Sequence, residues 1–194
     1  MLEHKKAVLI LASSSPRRQE LLREAGIPFQ VEPAHVNEDQ RAGEPPLIYA
    51  CRLAAKKAQA VAERYPQRWV LGADTIVVID GEVLGKPRDG RDASRMLRLL
   101  AGRAHEVTTA VSLVAPGQDA ETRTCTTRVW FRALTDDEIQ RYVAGGEPMD
   151  KAGAYAIQGG AARWADRIEG EYTNVVGLPL SVVTEMLRKN GLVE

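Results

Sequence analysis

The sequence predicts a single α/β domain over residues 1–194, with helices flanking a mixed sheet. Strand-like apolar runs alternate with amphipathic helical segments, and the alternation lacks a strict βαβ rhythm. No internal repeat, low-complexity tract or long linker divides the chain. A chain of 194 residues is long enough for one substantial core and short for two independent domains.

Cap and turn signals predict where the elements begin and end, because Ser, Asp and Pro open helices while Gly and Asn close them. In the first half of the chain we expect a strand at 8–12, a turn at 13–15, a helix stopped at Gly26, a second helix over 46–64, and a hairpin that pairs 69–79 with Glu82–Leu84 across Asp80-Gly81. A helix at 92–101 and strands at 106–115 and 122–131 follow. The last part should contain a helix opened by a capping box at Thr135 and Glu138, two strand-like pieces within 150–172, and a helix over Leu180–Lys189.

The composition is that of an ordinary globular protein, 44% hydrophobic and 27% charged. The chain has 26 basic and 26 acidic residues, so no overall positive field attracts nucleic acid. Cys51 and Cys125 are far apart in the chain and do not have the spacing of metal ligands. This favours a reducing compartment and argues against a structural zinc site. The apolar run at 7–12 is too short for a signal or membrane segment, so we expect a cytoplasmic location.

The turn at 13–15 opens a helix whose first turn carries Arg17 and Arg18. A helix N-terminus presents unpaired N–H groups and partial positive charge, which favours anions and disfavours arginine. A bound phosphate would reverse that cost, so this segment indicates a phosphate site. The alternative is that Ser15 only caps the helix and the arginines are solvated.

Lys57 lies on the apolar stripe of the second helix, four residues from both Leu53 and Val61. Lys56 points elsewhere. A lysine on a core-facing stripe either extends its ammonium to water or meets a buried anion. The sequence leaves both interpretations open.

Asp74 is a single carboxylate in the apolar strand 69–79. Burying an unpaired charge is costly, so Asp74 needs a metal, a cation or several hydrogen-bond donors as partners. The hairpin register places Thr75 opposite Lys86 and Asp74 on the other face, so an Asp74–Lys86 ion pair would require a bulge near Gly85. That structural ion pair is the alternative to a catalytic role.

Glu38, in a short polar loop, is a second candidate carboxylate. Two carboxylates with substrate phosphates form a typical Mg²⁺ site, although Glu38 alone would pass for a solvated loop residue. None of the three histidines is paired with Ser or Cys in a recognisable triad motif. We therefore set covalent catalysis aside.

Together these segments resemble the Maf family of nucleoside triphosphate pyrophosphatases over essentially the whole chain. The matching motifs are Ala12-Ser-Ser-Ser-Pro-Arg-Arg-Gln-Glu-Leu-Leu22, Gly72-Ala-Asp-Thr-Ile-Val77, Gly85-Lys-Pro87, Asp150-Lys-Ala-Gly-Ala-Tyr155, Ile157-Gln-Gly159 and Val176-Gly-Leu-Pro-Leu180. The resemblance implies a Maf/ITPase-like fold with two lobes and a cleft, hydrolysis at the α–β bond with Mg²⁺ or Mn²⁺, and a homodimer. It further implies Asp74 as proton acceptor, Glu38 as a carboxylate at the metal, and phosphate-binding roles for Ser13, Arg18, Lys57 and Lys86.

The family divides by base, and three markers here resemble the branch that acts on dTTP and UTP. Arg17, Thr75 and Gln158 stand where the 7-methyl-GTP branch has Trp, Gln and a nearby Glu. Ser14 replaces the more common Gly or Thr, and the loop after Gln158 is more polar than the family pattern. Two other functions stay open: hydrolysis of modified or non-standard nucleotides, and non-catalytic nucleotide binding that regulates cell division.

Overall fold

The computed structural model describes residues 9–194. Val8, in the first predicted strand, lies outside the described residues. The described chain contains strands β1 Leu9–Leu11, β2 Phe29–Val31, β3 Val70–Ile79, β4 Glu82–Leu84, β5 Ala104–Val114, β6 Ala120–Phe131 and β7 Ala165–Glu169. Its helices are α1 Pro16–Glu24, α2 Pro46–Ala62, α3 Gly90–Leu100, α4 Asp136–Ala144, α5 Tyr172–Val176 and α6 Leu180–Lys189, with 3₁₀ turns at Glu147–Asp150, Ala152–Ala154 and Gly160–Trp164.

The seven described strands form one mixed sheet, which confirms the predicted fold class. Its order is β2-β1-β3-β5-β6-β7, with β4 added antiparallel to β3. β1 pairs in parallel with both β2 and β3, whereas β6 and β7 are antiparallel. Every residue of β1 is buried, as expected for a parallel strand that is covered on both faces.

The structure differs from the sequence prediction at β2, in the segment 150–172, and at the short helix α5, which was not predicted. β2 was not predicted, because its three residues, Phe29–Val31, are too few for their apolar–polar–apolar alternation to count as a strand signal. The segment 150–172 was expected to contain two strand-like pieces, but the structure has β7 there, preceded by short 3₁₀ turns. Gly153, with φ of 69°, belongs to one of those turns. A backbone of that kind interrupts any strand, so local composition misled the prediction.

Side-chain caps mark several helix starts at, or within two residues of, the predicted positions. Ser15 caps α1, with Pro16 in its first turn, and Asp89 caps α3 by accepting from Asp92 N at 2.8 Å. Thr135 and Glu138 form the predicted capping box of α4. Within residues 9–194, no helix is long and apolar enough to cross a bilayer.

The contacts between residues divide the fold into two compact units. The first contains the described part of Met1–Asp74 with Ala110–Thr124 and Gly177–Glu194, and the second contains Thr75–Thr109 with Cys125–Val176. The second unit holds a cluster of edge-to-face rings formed by His105, Phe131, Tyr142, Tyr155 and Trp164. Whether the chain is one domain stays a prediction.

Candidate active site

Gly72 allows α2 to pack directly on β3. A Cβ atom at Gly72 would lie 2.5 Å from Ala54 O and 2.7 Å from Ala58 N, both in α2. Such distances are far inside van der Waals contact, so only glycine permits this approach. Lys57 therefore lies against β3 close to Asp74.

Lys57 Nζ contacts two carboxylates at once. It lies 2.7 Å from Asp74 Oδ1 and 3.0 Å from Glu38 Oε1. The side chains of Lys57 and Asp74 are 10% and 9% exposed, whereas that of Glu38 is 49% exposed. The structure thus selects the buried-anion interpretation of Lys57, and the cationic partner it gives Asp74 is Lys57.

Burial raises the pKa of Asp74, while the positive charges of Lys57 and Arg18 oppose that rise. A carboxyl group with a raised pKa is a better proton acceptor than an ordinary aspartate. Strongly perturbed carboxylates with a specific charged partner concentrate at functional sites. The environment of Asp74 is therefore suited to general-base chemistry.

Three side chains of α2 hold the loop that carries Glu38. Tyr49 Oη donates to Glu38 O at 2.8 Å, Arg52 donates to Asp39 O at 3.0 Å, and Lys56 Nζ donates to Asn37 O at 3.2 Å. In all three bonds the acceptor is a backbone carbonyl of the loop. They therefore do not engage the Glu38 carboxylate, which contacts Lys57. Glu38 is thus positioned by the helix that also carries Lys57, and is not simply a solvated loop residue.

Arg18 reaches back from the first turn of α1 to the end of β1 and to β3. Its Nε donates to Gly177 O at 2.8 Å, and one terminal nitrogen donates to Ala73 O at 2.9 Å and to Ser13 Oγ at 3.3 Å. Burial lowers the pKa of the Arg18 guanidinium. Arg18 is therefore a brace for the backbone beside Asp74, as well as a positive charge near it. Arg17 is half-buried in the same helical turn, which contains no acidic residue.

The donor set is compatible with a divalent cation. Among residues 9–194, no three His, Cys, Asp or Glu side chains form a self-contained metal cluster. Glu38 and Asp74, however, bring two carboxylate oxygens to one Lys57 nitrogen. Mg²⁺ is usually held by one or two carboxylates and completes its coordination with water and substrate phosphates, so this pair fits it.

The remaining predicted residues belong to the second unit. The pairing of β3 with β4 confirms the expected register and ends at Val77 opposite Leu84. Lys86 follows in an exposed bend, which Gly153 holds by donating to Gly85 O at 3.1 Å. Gln158 lies exposed in a turn before a 3₁₀ segment. Thr75 is half-buried and hydrogen-bonded to Thr109 at 2.9 Å.

A carboxylate clamp holds the loop after Gln158, and the sequence did not reveal it. Both oxygens of Glu147 accept from Gly160 N, at 3.1 and 3.2 Å, and Tyr142 Oη donates to Glu147 Oε1 at 2.8 Å. A Cβ atom at Gly159 would displace the Glu147 carboxylate from this position. The clamp in this arrangement therefore favours glycine at 159; a Gly-Gly pair after a polar turn is the signal that points to it.

A solved structure shares this arrangement of strands and helices. The Ham1 protein of Staphylococcus aureus superposes with a TM-score of 0.52 and covers 94% of this chain and 98% of its own, at 13% sequence identity. At that identity the likeness shows the fold alone. It places the chain in the class of α/β proteins with the Ham1-like fold.

Sequence comparison then identifies the family. The sequence model of the family described as "Maf-like protein" matches residues 8–190. The chain therefore belongs to this Maf family. The dTTP/UTP pyrophosphatase of Koribacter versatilis is 57% identical over 184 residues, covering 95% of both chains. The dTTP/UTP pyrophosphatase of Geobacter metallireducens is 54% identical, and the match covers 94% of this chain and 96% of that protein. The dTTP/UTP pyrophosphatase of Myxococcus xanthus is 49% identical, and the match covers 96% of this chain and 94% of that protein.

Proposed function

We propose that this chain is a nucleoside triphosphate pyrophosphatase that hydrolyses dTTP and UTP to the monophosphate and pyrophosphate. Relatives of that name cover nearly its whole length at about half identity or more. The observation in the structure that supports catalysis is the buried Asp74 carboxylate, paired with Lys57 and lying beside Glu38. Burying these charges is costly, and the presence of both carboxylates beside Lys57 supports a catalytic site over non-catalytic binding.

In the proposed mechanism, Asp74 orients a water molecule and accepts its proton as the water attacks the α-phosphorus. Its raised pKa makes it an effective base. Lys57, buried against Asp74, orients the carboxylate and adds positive charge near the phosphates. Pyrophosphate leaves as the α–β bond breaks.

Glu38 and Asp74 would hold a divalent cation, Mg²⁺ or Mn²⁺. Such an ion, when bound, stabilises negative charge on the phosphate oxygens. Glu38 is suited to share a cation with the substrate because its carboxylate is half exposed at the loop held by α2.

Ser13 and Arg18 form the proposed phosphate-binding region at the start of α1. A helix N-terminus favours anions, and the Ser13 hydroxyl is held by the Arg18 guanidinium at 3.3 Å. For Lys86 in phosphate binding, and for Arg17, Thr75 and Gln158 in base preference, the proposal depends on the resemblance of their motifs to the family. A homodimer and a cytoplasmic location stay predictions from the sequence.

The test is a panel of nucleoside triphosphates with purified protein, Mg²⁺ or Mn²⁺, and detection of released pyrophosphate. We expect dTTP and UTP to give the highest kcat/KM. Preference for GTP or 7-methyl-GTP would contradict the base assignment. Preference for modified pyrimidine nucleotides would support the alternative of a hydrolase for non-standard nucleotides, and absence of turnover with every substrate would contradict catalysis itself.

A further inference from the structure

The segment between β2 and α2, residues 32–45, carries Glu38 and contains no helix or strand. An irregular connection of this length is usually either functional or flexible. The Glu38 side chain is 49% exposed, so burial does not by itself fix the position of its carboxylate. The contacts that hold the segment therefore decide whether Glu38 meets Lys57.

Glu44 closes the end of this segment on itself. Its Oε2 accepts from Arg41 N at 3.1 Å, and its backbone N–H donates to Arg41 O at 3.0 Å. Its backbone carbonyl accepts from Gln40 Nε2 at 2.9 Å. Pro45 and Pro46 follow directly, and α2 begins at Pro46. Because proline fixes its own φ angle, the closed turn has a defined direction relative to the helix.

Arg52 ties that turn to α2 through a forked ion pair. Its Nε lies 2.6 Å from Glu44 Oε1, and its Nη2 donates to Glu44 Oε2 at 2.7 Å and to Asp39 O at 3.0 Å. The side chains of Arg52 and Glu44 are 18% and 6% exposed. The hydrogen bonds from Arg52 lower the pKa of Glu44 to about 2. The pair is therefore ionised near neutral pH, and its two parallel bonds fix its geometry.

The same guanidinium reaches Glu38 by two routes. Its bond to Asp39 O holds the residue next to Glu38. Arg52 Cζ also lies 5.6 Å from the centre of the Tyr49 ring, whose hydroxyl donates to Glu38 O at 2.8 Å. Tyr49 and Arg52 are three residues apart and share one face of α2. One helix face thus holds both the closed turn and the backbone of Glu38.

We propose that Arg52 and Glu44 are positioning residues for Glu38, holding its carboxylate beside Lys57 so that it can share a divalent cation with the substrate. This inference rests on the proposed function, in which Glu38 helps to hold that cation. Residues that orient a metal-binding side chain set the affinity for the metal without touching it. The ion pair joins α2 only to the segment before it, so its loss should act first on the position of Glu38.

The experiment compares Glu44→Gln and Arg52→Gln with the wild type. The measured quantity is the free Mg²⁺ concentration that gives half of the maximal rate with dTTP. Both changes remove the charged fork, so this concentration should rise about tenfold or more, as for the loss of groups that support a metal ligand. Circular dichroism and Tm establish that each variant is folded. Glu44→Gln, which keeps the shape of its side chain, decides the matter if Arg52→Gln does not fold.

Arg64→Gln is the matched control. Arg64 lies just beyond the end of α2, pairs with Glu32 at 3.8 Å and donates to Pro33 O at 3.1 Å. It thus makes the same kinds of contact with the same segment, but at the end distant in sequence from Glu44. This variant should keep the Mg²⁺ dependence of the wild type.

A binding measurement gives a readout that does not depend on turnover. The probe is a dTTP analogue with a methylene group between the α- and β-phosphorus, titrated by calorimetry in Mg²⁺ and in EDTA. Mg²⁺ should tighten its Kd less in Glu44→Gln and Arg52→Gln than in the wild type and Arg64→Gln. The Kd in EDTA should be unchanged. Equal tightening in all four proteins would overturn the inference.

A double-variant cycle tests whether Arg52 acts through Glu38. Glu38→Gln should raise the Mg²⁺ requirement, and adding Arg52→Gln should raise it no further, because residues that act through one another are not additive. Additive effects overturn the inference, as does wild-type Mg²⁺ dependence in Glu44→Gln or Arg52→Gln. Loss of rate by the same factor at every Mg²⁺ concentration, together with a lower Tm, would assign the pair a merely structural role and also overturn it.

Failure of the proposed function has a different signature. A folded wild-type protein that turns over neither dTTP nor UTP contradicts that function and, with it, this inference. An unchanged Mg²⁺ requirement in Glu38→Gln contradicts the proposed role of Glu38 and likewise removes the inference. An active wild type whose Mg²⁺ requirement rises in Glu38→Gln, but not in Glu44→Gln and Arg52→Gln, overturns the inference alone.

Discussion

Lys57 Nζ lies 2.7 Å from Asp74 Oδ1, with both side chains largely buried. The pair joins the middle of α2 to the middle of β3, and Glu38 contacts the same ammonium from a loop. A buried ion pair is weak evidence for stability, because the cost of desolvating both charges can exceed their attraction. Its position beside a half-exposed carboxylate is better explained by catalysis, and the predictions below separate the two roles.

Asp74→Asn keeps the shape and polarity of the side chain but removes its basic oxygen. We expect kcat to fall roughly 10²–10⁴-fold, the usual effect of losing a positioned general base. Nucleotide affinity should stay within about tenfold, because the proposed phosphate contacts come from other residues. Steady-state kinetics and Tm, measured on one preparation, decide between a catalytic and a purely structural role for Asp74. Normal turnover with a lower Tm would remove Asp74 from the mechanism.

Lys57→Met should leave Asp74 without its close cation. We expect kcat/KM to fall tenfold or more, and the free energy of unfolding to fall by about 3–5 kcal/mol, as for one broken partner of a buried pair. The double variant Lys57→Met with Asp74→Asn should regain part of that stability, since the buried carboxylate is then gone and the remaining one, Glu38, is half exposed. Gln59→Met, at an exposed position of the same helix, is the matched control. Equal effects at 59 and 57 would contradict a specific role for the pair.

Arg18→Ala should affect both stability and substrate binding. It removes the hydrogen bonds to Gly177 O and Ala73 O, and a hydrogen bond of a charged group contributes about 1.5–3 kcal/mol to stability. Loss of its charge near the phosphates should also lower kcat/KM about tenfold or more. Arg23→Ala, in the exposed last turn of the same helix, is the control. A lower Tm with unchanged kcat/KM would make Arg18 a brace and nothing more.

Gly72→Ala places a Cβ atom 2.5 Å from Ala54 O, which is backbone and cannot turn aside. We expect a loss of stability of about 1–3 kcal/mol from this overpacking, and a loss of activity because α2 carries Lys57 away from Asp74. Gly85→Ala is the control, since within the described chain no heavy atom lies within 4 Å of the added Cβ. Thermal unfolding checks the first effect and kcat/KM the second. A similar Tm for both variants would mean that α2 adjusts without cost.

His105 should make stability depend on pH. It is 2% exposed and its Nε2 is hydrogen-bonded to Tyr155 Oη at 2.8 Å. Burial lowers the pKa of His105 to about 4, whereas in the unfolded chain it is about 6.5. The unfolded state therefore binds the proton more readily. The contribution of neutral His105 to the free energy of unfolding is fully present above pH 6.5 and is lost as the pH falls towards 4.

Urea unfolding of the wild type and of His105→Gln at pH 8 and pH 5 measures this contribution. Glutamine cannot titrate, so the difference in unfolding free energy between the two proteins should change by about 2 kcal/mol between these pH values. Parallel pH dependence of the two proteins would show that His105 stays unprotonated in both states or titrates equally in both.

Elements with strong local signals were predictable from the sequence. The capping box at Thr135 and the Asp80-Gly81 hairpin register agree with the structure, because caps and tight turns depend on residues that are neighbours in the chain. The need of Asp74 for a partner was also predictable, since a single carboxylate within an apolar strand is a local pattern. The three-residue strand β2 was not, because an alternation over three residues is too short to predict a strand, and its pairing with β1 is what defines it.

By itself the sequence determined the α/β class, the approximate starts of the capped helices, the need of Asp74 for a partner, and, through its motifs, the family. Only the tertiary structure decided which partner that is. A pair with Lys86 would have required a bulge near Gly85, whereas the structure places Lys57, 17 positions before Asp74, at 2.7 Å from its carboxylate. The physical reason is the contact at Gly72, where a missing side chain lets α2 pack on β3. Such contacts between distant segments, like the hydrogen bond between Thr75 and Thr109, depend on how elements pack and leave no periodic trace in the chain.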